Sequence, residues 1–449
     1  MIKYFRMFLL GLVLLLIAFA WKAFQVLPMA TGYGAKILCS EYFVAGRQDL
    51  DQLRSEIEEI DPLFALGRYQ VNAKTGRATA AVGPGLIKTT AVYRDGLGCT
   101  IAAGLEPELL PALPAGAARE IAPAHSLPAA GEAFSRLESA LDEAFDEPSP
   151  GSHRQSRAIV VLQRGRIVAE RYAEGFNRAT PLIGWSMTKS ITNTLIGMLV
   201  LDGRLALDEP APVPEWRKEG DPRAEITLRN LLQMSSGLDF EEIYEPGSDA
   251  TNMLFTEYSA AAYAAASTLA HEPGSYWSYS SGTSNILGRI VRDSLGGTAA
   301  AVYQFVQNRL SRPLGLSSLV MEFDASGAPV ASSFSYATAR YWARLGQFWL
   351  QDGVWQEHRL LPEGWMEWSV QPAPAAPMGE YGAHFWLNAG TDGRHHAFPD
   401  LPKDIFYASG FAGQSVTVFP GQQIVVARLG FTTDNSWDLN DFLNAVYTA

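Results

Sequence analysis

Lys3 and Arg6 stand ahead of Met7 to Trp21, a run with no charged residue and almost wholly apolar character. A basic flank before an apolar run at the extreme N-terminus is the layout of a membrane-targeting segment whose positive end stays in the cytoplasm. The run alone falls short of the roughly 20 residues that span a bilayer, and extending it through Lys22 to Leu27 reaches that length. Residues 1–27 therefore read as an uncleaved transmembrane anchor or as a signal segment, for which Ala18-Phe19-Ala20 offers the small-x-small pattern of a cleavage site. The remainder is expected on the periplasmic side, tethered to the inner membrane or secreted.

Beyond that run the pattern changes twice. Arg47 to Ile60 carries Leu50, Leu53, Ile57 and Ile60 with acidic residues between them, a spacing that predicts one amphipathic helix. Arg68–Val71 and Arg77–Val82 flank a turn containing Gly76, and Thr89–Tyr93 leads into Asp95-Gly96-Leu97-Gly98, which predicts strands joined by tight turns. Residues 28–108 thus read as a small α+β lead-in. A Pro/Ala-rich stretch over 109–130, with Pro111, Pro114, Pro123 and Pro128, lacks periodicity and reads as a linker.

The second domain, 131–449, opens with a helical stretch from Glu132 to Phe145 and a hairpin of Ala158–Gln163 and Ile167–Tyr172. Near its end Ile405–Ala408, Ser415–Phe419 and Ile424–Leu429 predict three more strands, and Ser436–Tyr447 a closing helix. Strands at both ends with helix and loop between them, about 203–368, imply an α+β sandwich. Its mainly antiparallel sheet is flanked by helices and carries an inserted helical subdomain.

Of the residues, 47% are hydrophobic and 18% charged, enough to bury a sizeable core. Lys plus Arg number 35 against 47 Asp plus Glu, a formal charge of −12, so the surface field repels polyphosphate and no nucleic-acid partner is expected. Two cysteines, Cys39 and Cys99, match no zinc spacing. Export into an oxidising compartment allows them to form one bridge across a long loop, with two buried free thiols as the alternative.

Eight lysines occur in the chain, and only Lys189 has a serine three residues before it, in Ser186-Met187-Thr188-Lys189. Apolar residues at Ile191, Leu195, Met198 and Leu199 put both side chains on one face at the start of a largely buried helix. A lysine enclosed by apolar neighbours is favoured as the neutral amine and can take a serine proton, turning the hydroxyl into a nucleophile. Amides at a helix start are ready donors to a developing oxyanion. Downstream, Pro273-Gly274-Ser275-Tyr276-Trp277-Ser278-Tyr279-Ser280 brings in a tyrosine, and a tyrosine beside a cation can serve as a phenolate base.

With Leu231-Leu232-Gln233-Met234-Ser235-Ser236-Gly237-Leu238, Arg312-Pro313-Leu314-Gly315-Leu316 and Tyr407-Ala408-Ser409-Gly410-Phe411 in the same order, residues 130–449 resemble the β-lactamase and penicillin-binding-protein superfamily. The resemblance is to the branch of class C β-lactamases, esterases and 6-aminohexanoate-dimer hydrolases. It implies a β-lactamase/transpeptidase-like fold and a serine hydrolase without metal or organic cofactor. Ser186 is then the acylated nucleophile, Lys189 its proton partner and Tyr279 a second base that protonates the leaving group. The amides of Ser186 and Phe411 are the implied oxyanion donors, and Ser281, Ser409 and Gly410 the implied substrate contacts.

Two departures bear on the substrate. Ala408 stands where many relatives carry a lysine that meets a substrate carboxylate, and Ser281 stands where lactamases and peptidases usually place asparagine. Both favour a small-molecule ester or unusual amide over a β-lactam or a peptidoglycan peptide. The competing readings are a non-catalytic envelope binding protein on the same fold and a penicillin-recognising enzyme.

Four further features read as bland. Lys74-Thr75-Gly76 is a hairpin turn, Lys403 a solvated loop charge, and His395-His396 with Asp392 and Asp400 a surface loop and not a metal site. The aromatic series Trp342, Phe348, Trp349, Trp355, Trp365 and Trp368 reads as core packing.

Overall fold

The computed structural model describes residues 2–113, 135–390 and 396–449. Helix α1 runs from Ile2 through Pro28 to Phe43, well past the apolar run. Its second half is buried, with Met29, Tyr33, Leu38 and Cys39 in the core. The anchor reading rests on Met7–Trp21, several of whose side chains lie outside the described residues; among the described residues no helix is long and apolar enough to cross a membrane.

Helix α2, Leu50–Ile60, buries Leu53 and Ile57 and is capped by the Asp49 carboxylate, which accepts from the amides of Asp51 and Gln52. Strands β1 (Gly67–Asn72), β2 (Arg77–Val82), β3 (Ile87–Arg94) and β4 (Gly98–Ile101) form an antiparallel meander, and Lys74-Thr75-Gly76 is the β1–β2 turn. Cys39 of α1 and Cys99 of β4 form a disulfide across 60 residues of chain. Such a bridge points to an extracytoplasmic compartment.

Charge fastens this N-terminal unit to the rest of the chain. Glu322, fully buried, pairs with Lys36, accepts from Ser40 Oγ at 3.0 Å and takes the Cys99 amide at 2.6 Å. The Lys36 ammonium also donates to the Cys99 carbonyl at 3.0 Å and lies 4.2 Å from the centre of the Phe334 ring. Glu322→Ala would leave Lys36 buried without its counter-ion, at a cost of about 3–5 kcal/mol. The expected result is a lowered urea midpoint for the whole chain; a midpoint within error of the parent would contradict the role given to this pair.

Most of the expected linker, from residue 114 to 130, lies outside the described residues. Helix α3 spans Ser135–Phe145, followed by β5 (Ser156–Gln163) and β6 (Arg166–Tyr172). The main sheet has six strands in the order Trp386–Leu387, Phe406–Gly410, Gln414–Phe419, Ile424–Gly430, β5, β6, every neighbour antiparallel. Its inner strands are apolar at consecutive positions because both faces are covered. Ile159, Val161 and Val426 join a layer with Leu141 of α3 and Leu443 of the closing helix Leu439–Thr448. Val160, Leu162 and Val425 turn the other way, into the core that holds Leu345 and Phe348. Those two come from the helix Ala339–Leu350, which the sequence placed inside the helical subdomain and which instead packs on the sheet. Trp342, Phe348, Trp349 and Trp365 are buried, as core packing requires.

Candidate active site

A three-stranded sheet of Leu182–Ile183, Ser335–Ala337 and Val320–Met321 delivers the chain to Gly184. Trp185 then adopts φ +46°, a left-handed conformation that a bulky residue rarely takes. A short 3-10 turn, Trp185–Met187, carries Ser186 into helix α4, Thr188–Leu201, whose residues Thr188 to Leu199 are all buried. Lys189 on its first turn is 1% exposed.

Three acceptors surround the Lys189 amine: Ser186 Oγ at 3.1 Å, Ser281 Oγ at 3.0 Å and the Ser332 carbonyl at 3.1 Å. Tyr279 approaches with its ring face, whose centre lies 4.7 Å from Nζ. The ring stacks on Trp386 at 5.3 Å and meets Tyr381 edge-on at 5.8 Å, so its orientation is set by packing.

Ser281, expected as a substrate contact, is fully buried at the first turn of the helix Ser281–Ser294. Its hydroxyl meets Glu242 Oε1 at 2.5 Å, Tyr244 at 3.1 Å and Lys189, and its amide donates to Glu242 Oε2 at 2.6 Å. A side chain so committed belongs to the lysine's surroundings and does not line the cavity beside it. Glu242 and Tyr244 escaped the sequence reading. They lie in the loop that follows the Gly237-Leu238 stretch, carry no motif of their own, and reach the lysine only through the fold.

The strand Phe406–Gly410 ends against the turn that bears Ser186: a Cβ on Gly410 would lie 2.2 Å from the Gly184 carbonyl oxygen, so only glycine permits this approach. Trp185 and Phe411 add an edge contact at 5.6 Å. The amides of Ser186 and Phe411 therefore belong to two segments in backbone contact. Ala408 is buried within the strand, and Lys403 is exposed before it.

A cavity of about 420 Å³ opens beside these residues, with Ser186, Tyr279, Ser409, Gly410 and Phe411 in its wall. Among the described residues that line it, Asp61 alone carries a charge.

Behind the lysine, His384 is buried, with Nδ1 2.8 Å from the Leu232 carbonyl and Nε2 2.9 Å from Ser284 Oγ. Burial first, and the nearby Lys189 charge, push its pKa down to about 3 against the carbonyl's opposing pull. An unfolded histidine takes its proton near 6.5, so between these values the unfolded chain binds one proton more. Stability is therefore expected to fall as pH drops from about 6.5 toward 3, by up to about 1.4 kcal/mol per pH unit from this group. His384→Asn, which tolerates the residue's φ of +62°, should flatten that slope in urea titrations; an unchanged slope would assign it to other groups.

Of the loop histidines, His396 donates from Nδ1 to the Asn388 carbonyl at 2.8 Å; His395 and Asp392 lie outside the described residues. Among the described residues no group of His, Cys, Asp and Glu could hold a metal ion.

The six-stranded antiparallel sheet with helices packed against it is a β-lactamase/transpeptidase-like fold, and Ser186 stands in the wall of its cavity with the buried Lys189 3.1 Å away. Residues 135–443 match the Beta-lactamase family, and the chain belongs to it. That family consists mostly of serine hydrolases. The chain is similar to the 6-aminohexanoate-dimer hydrolase of Paenarthrobacter ureafaciens, 24% identical over 303 residues, which cover 62% of this chain and 73% of the relative. Among solved structures it resembles a penicillin-binding protein homologue from Caulobacter crescentus (TM-score 0.54, 18% identity, 71% of this chain and 99% of the other). A D-stereospecific amidohydrolase from Streptomyces gives a TM-score of 0.51 at 18% identity over 69% of this chain and 97% of the other. At such identities the two structures speak for the fold alone.

Proposed function

We infer that the protein is an extracytoplasmic serine hydrolase that cleaves an ester or linear amide bond through an acyl-enzyme on Ser186. The observation that carries this reading is the 3.1 Å contact between Ser186 Oγ and Lys189 Nζ at the wall of an open cavity. In the proposed course the lysine amine takes the hydroxyl proton as Oγ bonds to the substrate carbonyl carbon. The amides of Ser186 and Phe411 hold the oxygen that becomes negative. Tyr279 delivers a proton to the leaving oxygen or nitrogen as its bond to the carbonyl carbon breaks, and water then releases the acyl group by the reverse exchange of protons.

Ala408 and the absence of a cation among the described cavity residues weigh against substrates held by a carboxylate. The name of the 6-aminohexanoate-dimer hydrolase weighs toward a linear amide. The disulfide and the basic, then apolar, N-terminus support export, and Met7–Trp21 is the segment proposed to tether the protein. A fluorophosphonate should label the full chain on Ser186, located by peptide mass. Folded protein that stays unlabelled would instead favour a binding protein on this fold.

A further inference from the structure

The wall of the cavity at Ser186 is shared between the two parts of the chain. Met29, Tyr33, Ile60, Asp61 and Phe64 line it, and all five come from the N-terminal unit. Tyr33 stacks on Phe64 with ring centres 4.6 Å apart and meets Phe255 edge-on at 5.2 Å. Phe255 leans on Phe334 at 6.1 Å, Phe334 on Trp185 at 5.8 Å, and Trp185 on Phe411. A chain of ring contacts, passing through the buried Phe334 behind the wall, thus runs from the N-terminal unit to the residue that precedes Ser186.

Nothing in this chain of contacts is loosely placed. A Cβ on Gly32 would lie 2.0 Å from the Phe255 carbonyl oxygen, so α1 meets the helix Asp249–Phe255 at backbone distance. The Lys36–Glu322 pair and the Cys39–Cys99 bridge hold α1 in that position. The cavity volume falls within the range of small-molecule sites, about 300–1,000 Å³, and its aromatic wall suits an apolar ligand.

The charge pattern selects further. Asp61 caps the turn Pro62–Leu66 by accepting from the Leu63 amide at 2.7 Å. A substrate carboxylate entering here would leave water for a site with a like charge and no described cation, which is unfavourable twice over. An uncharged chain meets neither penalty.

Resting on the reading of Ser186 as nucleophile, we propose that the N-terminal unit forms the specificity subsite of the enzyme and that the subsite takes an uncharged apolar chain and rejects one ending in a carboxylate. Tyr33, Ile60 and Phe64 supply its apolar wall, and Asp61 enforces the charge rule. The N-terminal unit is then part of the substrate site as well as a support for the fold.

The test uses the full chain carrying Ser186→Ala, with tryptophan emission as the readout because Trp185 and Trp386 line the cavity. Decanamide should bind at least tenfold tighter than acetamide and at least tenfold tighter than its ω-carboxylate counterpart. Adding Ile60→Trp, which fills the subsite, should weaken decanamide at least tenfold. Adding Asp61→Asn, which keeps a capping side chain, should shrink the discrimination against the carboxylate at least fivefold and does not depend on the tryptophan variant folding. Equal binding of decanamide and its carboxylate, or indifference of both ligands to both substitutions, would overturn the proposal. Turnover of p-nitrophenyl decanoate by the unsubstituted chain is measured alongside. Its absence, with decanamide binding as expected, would overturn the hydrolase reading and leave the subsite standing.

Discussion

Ser186→Ala is expected to lower kcat toward p-nitrophenyl esters by four orders of magnitude or more, with little change in KM or in the thermal unfolding midpoint. The substitution removes only Oγ, the atom proposed to bond to the acyl carbon, and leaves the backbone amides and the cavity in place. Alanine is also at ease in the helical turn that bears the residue. Steady-state kinetics on purified variant, with intact-mass detection of the acyl adduct on the parent, checks it. A variant that kept a hundredth of the parent activity would end the mechanism proposed here while leaving the fold untouched.

Lys189→Met should be nearly as severe, lowering kcat about a thousandfold or more. Methionine fills much of the same volume and removes the amine that lies 3.1 Å from Ser186 Oγ. It also strips a donor from Ser281 and from the Ser332 carbonyl, a loss of about 1–3 kcal/mol in stability for a buried acceptor left unpaired. Arginine is no substitute, since a guanidinium stays charged and cannot take the proton. The rate of fluorophosphonate labelling isolates the effect on the nucleophile from later steps. A labelling rate within tenfold of the parent would move the general base elsewhere, to Tyr279 or to the Glu242–Tyr244 pair.

The residues that do local work could be read from the chain. Ser186 and Lys189 lie three apart on one helical turn, so their meeting needs only that turn. The hairpin β5–β6 and the strands near the C-terminus follow from apolar runs bounded by glycine and proline turns. Cys39 and Cys99 were legible as a candidate pair because export and a count of two leave few choices.

Other features depend on contacts between distant segments. Ser281 meets Lys189 on one side and Glu242 and Tyr244, from a distant loop, on the other, so Ser281 is the lysine's partner although its place in sequence suggested the substrate's. His384 reaches the same region from a loop near the sheet edge. The helix Ala339–Leu350 shows the same limit: its periodicity predicts an amphipathic helix but not which surface its apolar face will cover, and the sheet claims it.

The sequence by itself determined the segments whose structure depends on neighbours along the chain: the α4 turn with its serine and lysine, the hairpins, and the apolar N-terminus. Only the tertiary structure decided that α1 runs on past Leu27 into the core and that Tyr33, Ile60, Asp61 and Phe64 stand in the wall of the cavity at Ser186. The physical reason is that helical and strand periodicity records which side of an element is apolar, whereas the partner for that side is chosen by complementary packing and by buried charge, here Lys36 on Glu322, between residues far apart in sequence.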